Sequence, residues 1–148
     1  MIRLGLLGGS GRMGQWVRKL AEDEFGDRLQ LAAAPGRKDD PTPLLQCDAV
    51  IDFSLPEVMG ALVKKALLAP AGSPLPAFAI GSTGWTLDGK RELEALAART
   101  PVMIASNFST GIAALLRILR QAAPLLQSQG YVPLITERHH VHKKDSPS

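Results

Sequence analysis

The sequence predicts an α/β fold in which a parallel sheet carries helices on both faces. Three observations predict it. Short apolar runs alternate with amphipathic stretches along the chain, the pattern of strands joined by crossover helices. A glycine-rich turn, GGSGRMG, follows the first apolar run directly and opens the first amphipathic stretch. Three further stretches with polar chemistry, DFS (52–54), GSTGW (81–85) and ASNFSTG (105–111), each fall at the carboxyl end of a predicted strand.

Taken in order, IRLGLL (2–7) predicts a buried first strand, and RMGQWVRKLAEDE predicts a helix with Met13, Trp16, Val17 and Leu20 on its apolar face. LQLAAA (29–34) predicts the second strand, closed by Pro35 and Gly36, and AVIDFS (49–54) the third. In SLPEVMGALVKKALLA, Ser54 and Glu57 have the spacing of a reciprocal N-terminal cap, and Pro56 sits in the first turn, where its missing N–H costs little. PAFAIG (76–81) predicts the fourth strand, LDGKRELEALAART a helix and PVMIAS (101–106) the fifth strand. STGIAALLRILRQAAPLLQ predicts a long helix that Pro124 should kink or end. YVPLITERHH then reads as a last strand carrying the histidines out of the domain. With no internal repeat and only short proline-rich connectors, residues 1–136 are expected to form one domain.

Bulk properties bound the function. A chain of 148 residues that is 45% hydrophobic and 21% charged has the composition of a folded globular protein. The lone Cys47 cannot form an internal disulfide and is no zinc site by itself; it is expected to be a half-buried small hydrophobe. The opening MIRLGLLGGSGRMG breaks into glycines too early for a signal peptide or a membrane span, so a cytoplasmic protein with no membrane partner is expected. Net charge is +3, but the cations are scattered (Arg12, Arg18 and Lys19; Lys64 and Lys65; Arg117 and Arg120), with few aromatics beside them. That argues against nucleic acid as a partner and suits an anionic small molecule.

The turn itself is the strongest local signal. Gly9, Gly11 and Gly14 fit G-x-G-x-x-G, and Gly8, Gly11 and Gly14 fit the looser G-x-x-G-x-x-G, in the strand-turn-helix setting of a Rossmann-like dinucleotide site. One glycine permits the tight turn, another admits a pyrophosphate to the backbone, and Gly14 lets helix and strand approach closely. The free N–H groups and the partial positive charge at the helix start then hold the anion. An NAD-type site places Asp or Glu at the end of the second strand. Here that place reads PGRKDD, where Gly36 has no carboxylate and Arg37 and Lys38 offer two positive charges. They suit a 2′-phosphate, so NADPH is expected in preference to NADH, although Asp39 serves the ribose if the connector folds differently.

Together with GGSGRMG, the stretches DFS, GSTGW, ASNFSTG and ERHHVHKKDSPS (137–148) make the chain resemble, from end to end, the dihydrodipicolinate (4-hydroxy-tetrahydrodipicolinate) reductase family. The E-x-H-H-x-H-K-x-D-x-P-S run is the most specific of these motifs. The resemblance implies that His139 acts as proton donor or acceptor, Lys143 as proton donor, and His140 as a substrate contact. It makes Gly8, Gly9, Ser10, Gly11, Arg12, Met13, Gly81, Ser82, Thr83, Ala105, Ser106, Asn107 and Phe108 cofactor neighbours. Ser82 stands where the family usually has threonine, which keeps the hydroxyl. Ser106 stands where it has proline, which frees a backbone N–H. The acidic residue common near the second strand is missing at Gly36.

The resemblance also implies a small dicarboxylate substrate, a homotetramer, and a second, α+β domain for substrate binding and subunit contacts. None of that domain follows Ser148, so residues 137–148 are expected to be a hinge and its start, in a truncated chain or a shortened relative. The implied reaction reduces a cyclic, unsaturated imine with hydride from NADPH or NADH plus a proton, in lysine and diaminopimelate biosynthesis. On an extended segment His139 and Lys143 share one face, while His140 and His142 share the other. Burial beside His140, His142 and Lys144 would draw the Lys143 pKa down toward neutrality. An imidazole suits proton exchange at cellular pH, as His139 requires. A metal on His140 and His142 with Glu137 or Asp145 is disfavoured, because the adjacent lysines repel a dication; no metal is expected. Two other readings stay open: a dinucleotide-binding module without catalysis, and another NADPH-dependent reductase of an amino-acid precursor.

Overall fold

Strand and helix alternate, so every strand pairing is parallel, and all carboxyl ends meet on one edge of the sheet. A computed structural model describes residues 1–136. Its strands are β1 (Ile2–Leu7), β2 (Leu29–Ala33), β3 (Ala49–Asp52), β4 (Ala77–Ile80) and β5 (Val102–Ile104). Its α-helices are α1 (Arg12–Asp23), α2 (Pro56–Leu68), α3 (Leu87–Ala97) and α4 (Thr110–Ser128), with a short 3₁₀ helix over Thr42–Gln46. The sheet order is β2-β1-β3-β4-β5. Residues Met1–Asn107 form one unit, and the chain from Phe108 on, which includes α4, forms another.

The chain steps from β1 outward to β2, then returns past β1 to β3 and steps the opposite way to β4 and β5. Right-handed crossovers in opposite directions put α1 on one face and α2 and α3 on the other, as expected. The register sets Leu7 beside Asp52, Asp52 beside Ile80, and Ile80 beside Ile104, a row along the carboxyl edge. Under α2 and α3 the core is Val50, Phe78 and Ile80 of the sheet with Met59, Leu62, Val63, Ala66, Leu93 and Leu96 of the helices. The α2 set has the spacing of one helical face, and burying each large side chain stabilises the fold by about 1.5–3 kcal/mol. Cys47 is buried, and desolvation pushes its thiol pKa up.

Three expectations need correction, and a fourth is narrowed. In α1 the buried residues are Gly14 and Ala21, with Val17 and Arg18 half-buried, while Met13, Trp16 and Leu20 are exposed. Close approach of α1 to the glycine turn selects small residues for its inner face. The apolar stripe is therefore turned outward: Trp16 is 58% exposed, with the Lys19 ammonium 5.6 Å from its ring centre. The Ser54–Glu57 cap does not form, because Leu55 is the N-cap of α2 and Ser54 bonds to Asp52 instead; Pro56 does open the helix. Of the two alternatives for Pro124, the ending is excluded, because α4 continues to Ser128 with Pro124 inside it. Residues 131–136 have no strand structure, and Val132, Leu134 and Ile135 are exposed. A strand needs a partner ladder, and none pairs with them among the described residues.

The connector after β2 is anchored to α2. Lys65 Nζ donates to Asp40 Oδ1 at 2.6 Å and to Thr42 Oγ1 at 2.6 Å, and the Thr42 amide and hydroxyl also donate to Asp40. These bonds, the Lys65 bond foremost, lower the Asp40 pKa from 3.8 to about 2.

Two outcomes follow from this packing. A Cβ on Gly14 would strike the backbone of Gly8 and Gly9, whereas one on Gly11 meets only Gly8 O at 3.4 Å. Gly14→Ala should therefore destabilise the protein by roughly 2 kcal/mol or more in denaturant melts, with Gly11→Ala within about 0.5 kcal/mol of wild type. A depressed carboxylate pKa stabilises above its unfolded value and ceases to do so as pH falls through the folded one. Asp40→Asn should thus melt slightly below wild type at neutral pH, the difference closing between pH 3.8 and about 2.

Candidate cofactor site at the carboxyl edge of the sheet

The strand order reverses between β1 and β3, and a crevice opens at such a switch point beyond the strand ends. Gly8, the first residue after β1, has φ +84°. A Cβ there would lie 2.6 Å from the carbonyl of Phe53, so only glycine allows the turn to lie against the chain leaving β3. The turn is closed by the Gly11 amide donating to Gly8 O at 3.0 Å. Gly11 is the N-cap of α1; no side chain caps the helix, and its first turn holds no acidic residue. Ser10, Gly11, Arg12 and Met13 are exposed. The first-turn amides have no intrahelical acceptor, so a diphosphate fits here: open backbone, free donors and the positive end of the helix dipole.

The turns after β3 and β4 are tied together by a carboxylate. Asp52 is 0% exposed. Its Oδ1 accepts from the Ser54 amide at 2.9 Å and the Ser54 hydroxyl at 2.5 Å, and its Oδ2 accepts from the Ser82 hydroxyl at 2.6 Å. The Gly81 amide donates to Asp52 O at 2.8 Å, and the Phe53 ring lies against Gly81. Trp85 Nε1 donates to Ser82 O at 2.9 Å. Ser82 is therefore buried and held from two sides, while Thr83 is exposed on the outer face of the turn. After β5 the Ala105 amide donates to Ile80 O at 3.1 Å, which places Ala105, Ser106 and Asn107 on the same edge. Phe108 begins the second unit.

On the β2 side, Asp39 Oδ2 accepts from the Gly36 amide at 2.8 Å, which folds the connector into a turn. Arg37 and Lys38 are exposed on that turn, beyond the end of β2. The Asp39 carboxylate closes a local loop, so it already has a structural task apart from any ribose. The structure thus brings Gly8–Met13, Arg37, Lys38, Gly81–Thr83 and Ala105–Asn107 to one edge of the sheet. His139, His140 and Lys143 lie outside the described residues, as do the alternative metal ligands Glu137, His142 and Asp145.

Three side chains beside this edge went unassigned at the level of sequence. Asp52 and Trp85 stood inside quoted motifs without a role. Arg18 is half-buried, and its guanidinium packs against Gly9, where an added Cβ would meet Nη2 at 2.9 Å. The signal for Arg18 was a cation on the inner row of α1, four residues after Gly14, which the outward apolar stripe obscured. A cleft of about 340 Å³ between α2 and α3 has Glu57, Asp88 and Glu92 in its walls with Lys64. Those carboxylates suit a diphosphate poorly. Among the described residues no group of three or more His, Cys, Asp or Glu gathers as metal ligands, and no helix is long and apolar enough to cross a membrane.

Comparison with known proteins agrees with this architecture. Residues 2–108 match the family described as dihydrodipicolinate reductase, N-terminus. The chain is 40% identical to the 4-hydroxy-tetrahydrodipicolinate reductase of Stenotrophomonas maltophilia, over 99% of the chain and 64% of that protein. It is 36% identical to the same-named protein of Wolinella succinogenes, over 100% of the chain and 60% of the relative. For Caulobacter vibrioides the figures are 33%, 99% and 58%. The chain therefore spans roughly three fifths of the length of these relatives. Matched over residues 2–108, and similar along its whole length to named reductases, the chain belongs to the dihydrodipicolinate reductase family.

Proposed function

We propose that this chain is the dinucleotide-binding part of a reductase that converts 4-hydroxy-tetrahydrodipicolinate to tetrahydrodipicolinate in lysine and diaminopimelate biosynthesis, using NADPH in preference to NADH. One observation supports this most: the uncapped, acid-free start of α1 shares a sheet edge with Arg37, Lys38, Gly81–Thr83 and Ala105–Asn107. That edge offers amides for a diphosphate at its centre, cations toward β2 and turns toward β4 and β5. Bound there, the reduced nicotinamide supplies a hydride.

The chain's own residues do the rest. Backbone amides of Ser10, Arg12 and Met13 hold the diphosphate, and Arg37 with Lys38 holds the 2′-phosphate. His140 contacts a carboxylate of the small dicarboxylate substrate. His139 exchanges a proton and Lys143 donates one, so that the negative charge produced by reduction is neutralised as it forms. In this reading the working protein is a cytoplasmic homotetramer. Binding of the dinucleotide without turnover is the second reading: residues 2–108, the part matched to the family's N-terminus, hold every group of the proposed cofactor edge.

Loss of cofactor absorbance in the presence of substrate tests catalysis. Lys143→Ala should lower kcat by about 100-fold or more, the usual contribution of a general acid, while NADPH affinity stays within about twofold. Wild-type chain that binds NADPH and never oxidises it would favour the second reading. Cofactor choice is tested separately: Arg37→Ala should weaken NADPH binding by roughly 1–3 kcal/mol and leave NADH nearly unchanged. Equal losses for both cofactors would remove Arg37 from the 2′-phosphate.

A further inference from the structure

We propose that Asp52 is a positioning residue of the cofactor site, acting through Ser82 on the turn that meets the nicotinamide half of the dinucleotide. The inference rests on the cofactor reading above. If the diphosphate sits at the start of α1 and the 2′-phosphate lies toward β2, the remainder of the molecule must run the opposite way, over β3 and β4. Two strand spacings, roughly 10 Å, separate β1 from β4, within reach of a dinucleotide anchored at its middle. Past the chain leaving β3, the backbone at the end of β4 is Gly81–Thr83.

Among the described residues, Asp52 and Trp85 bond to that turn and the Phe53 ring packs against its Gly81. The carboxylate is fully buried, and its three acceptor contacts reach two different turns: Ser54 N and Oγ after β3, and Ser82 Oγ after β4. An aliphatic core residue at this place would leave the Ser82 hydroxyl and the Ser54 amide without their partner. A carboxylate fixes both, because it accepts several bonds and offers no competing donor. The Ser82 hydroxyl gives its proton to Asp52, so it cannot also donate to the cofactor. Its effect on the ligand therefore passes through the shape of the turn, with Thr83 left on the exposed side.

The test compares two probes by calorimetry on the whole chain: NADPH, and 2′,5′-ADP, which carries the phosphorylated adenosine end and lacks nicotinamide. Ser82→Ala removes one bond and leaves the carboxylate two partners, so the fold should persist; melting temperature is recorded alongside. NADPH affinity should fall about tenfold with 2′,5′-ADP within about twofold, and Ser82→Thr should restore NADPH binding. Asp52→Asn should show the same selective loss. The double variant Asp52→Asn/Ser82→Ala should bind NADPH no more weakly than Asp52→Asn alone, because both changes break one interaction. Additive losses, equal weakening of both probes, or no change in Ser82→Ala would each overturn the inference while leaving the cofactor reading intact. Wild-type chain that binds neither probe would overturn the cofactor reading and the inference with it.

Discussion

A single buried carboxylate organises the working edge of this molecule. Asp52 ends β3, the strand beside the point where the strand order reverses, and its oxygens join the chain leaving β3 to the turn leaving β4. Burial of a charged group in an apolar sheet is tolerated only when it is well bonded, and here the bonds come from the two segments that must be held in register. The Phe53 backbone, fixed by the same junction, forms the wall against which Gly8 turns. The geometry of the first turn is thus set in part by the third strand, forty-odd residues away in sequence.

Close packing supplies the second constraint. Gly14 abuts Gly8 and Gly9, so the start of α1 is pressed onto the end of β1 and its amides are aimed over the sheet edge. With glycine at the N-cap the missing side-chain cap costs the helix only about a few tenths of a kcal/mol, and it leaves the donors open to a ligand. The start of α3 differs: Thr86 caps it by accepting from the Gly89 amide at 3.1 Å. Of the three α-helix starts in this unit, α3 is capped by a side chain, α2 is uncapped but carries Glu57 in its first turn, and α1 alone is both uncapped and free of acid.

Much of this was legible in the sequence. The limits of β1 match residue for residue, because an apolar run that breaks into glycines leaves little freedom, and β2 to β5 differ only at their ends, whereas the strand expected from Tyr131 does not form over residues 131–136. The glycine turn was legible for the same reason: its chemistry is local. What failed was long-range. Periodicity assigned Met13, Trp16 and Leu20 to the core, yet the inner row of α1 is chosen by how near the helix must come to Gly8, a distance no local pattern encodes. Ser54 had the spacing of a cap, but Asp52 competes for its hydroxyl from two residues away and wins through a charge-assisted bond. The partnership of Asp52 with Ser82 spans thirty residues and depends on strand order, which the sequence pattern left unspecified. The three histidines and Lys143 were the most specific motif, and their roles stand on family likeness rather than on geometry.

The central claim is that free amides at the start of α1, opened by Gly8 and Gly14, hold a diphosphate and direct the rest of the ligand over β3 and β4. The most direct measurement is an amide-resolved magnetic resonance titration of the chain with NADPH. The account predicts saturable shifts at Ser10–Met13 together with Gly81–Thr83. Shifts confined to the cleft between α2 and α3, or none at the glycine turn at saturating cofactor, would contradict it.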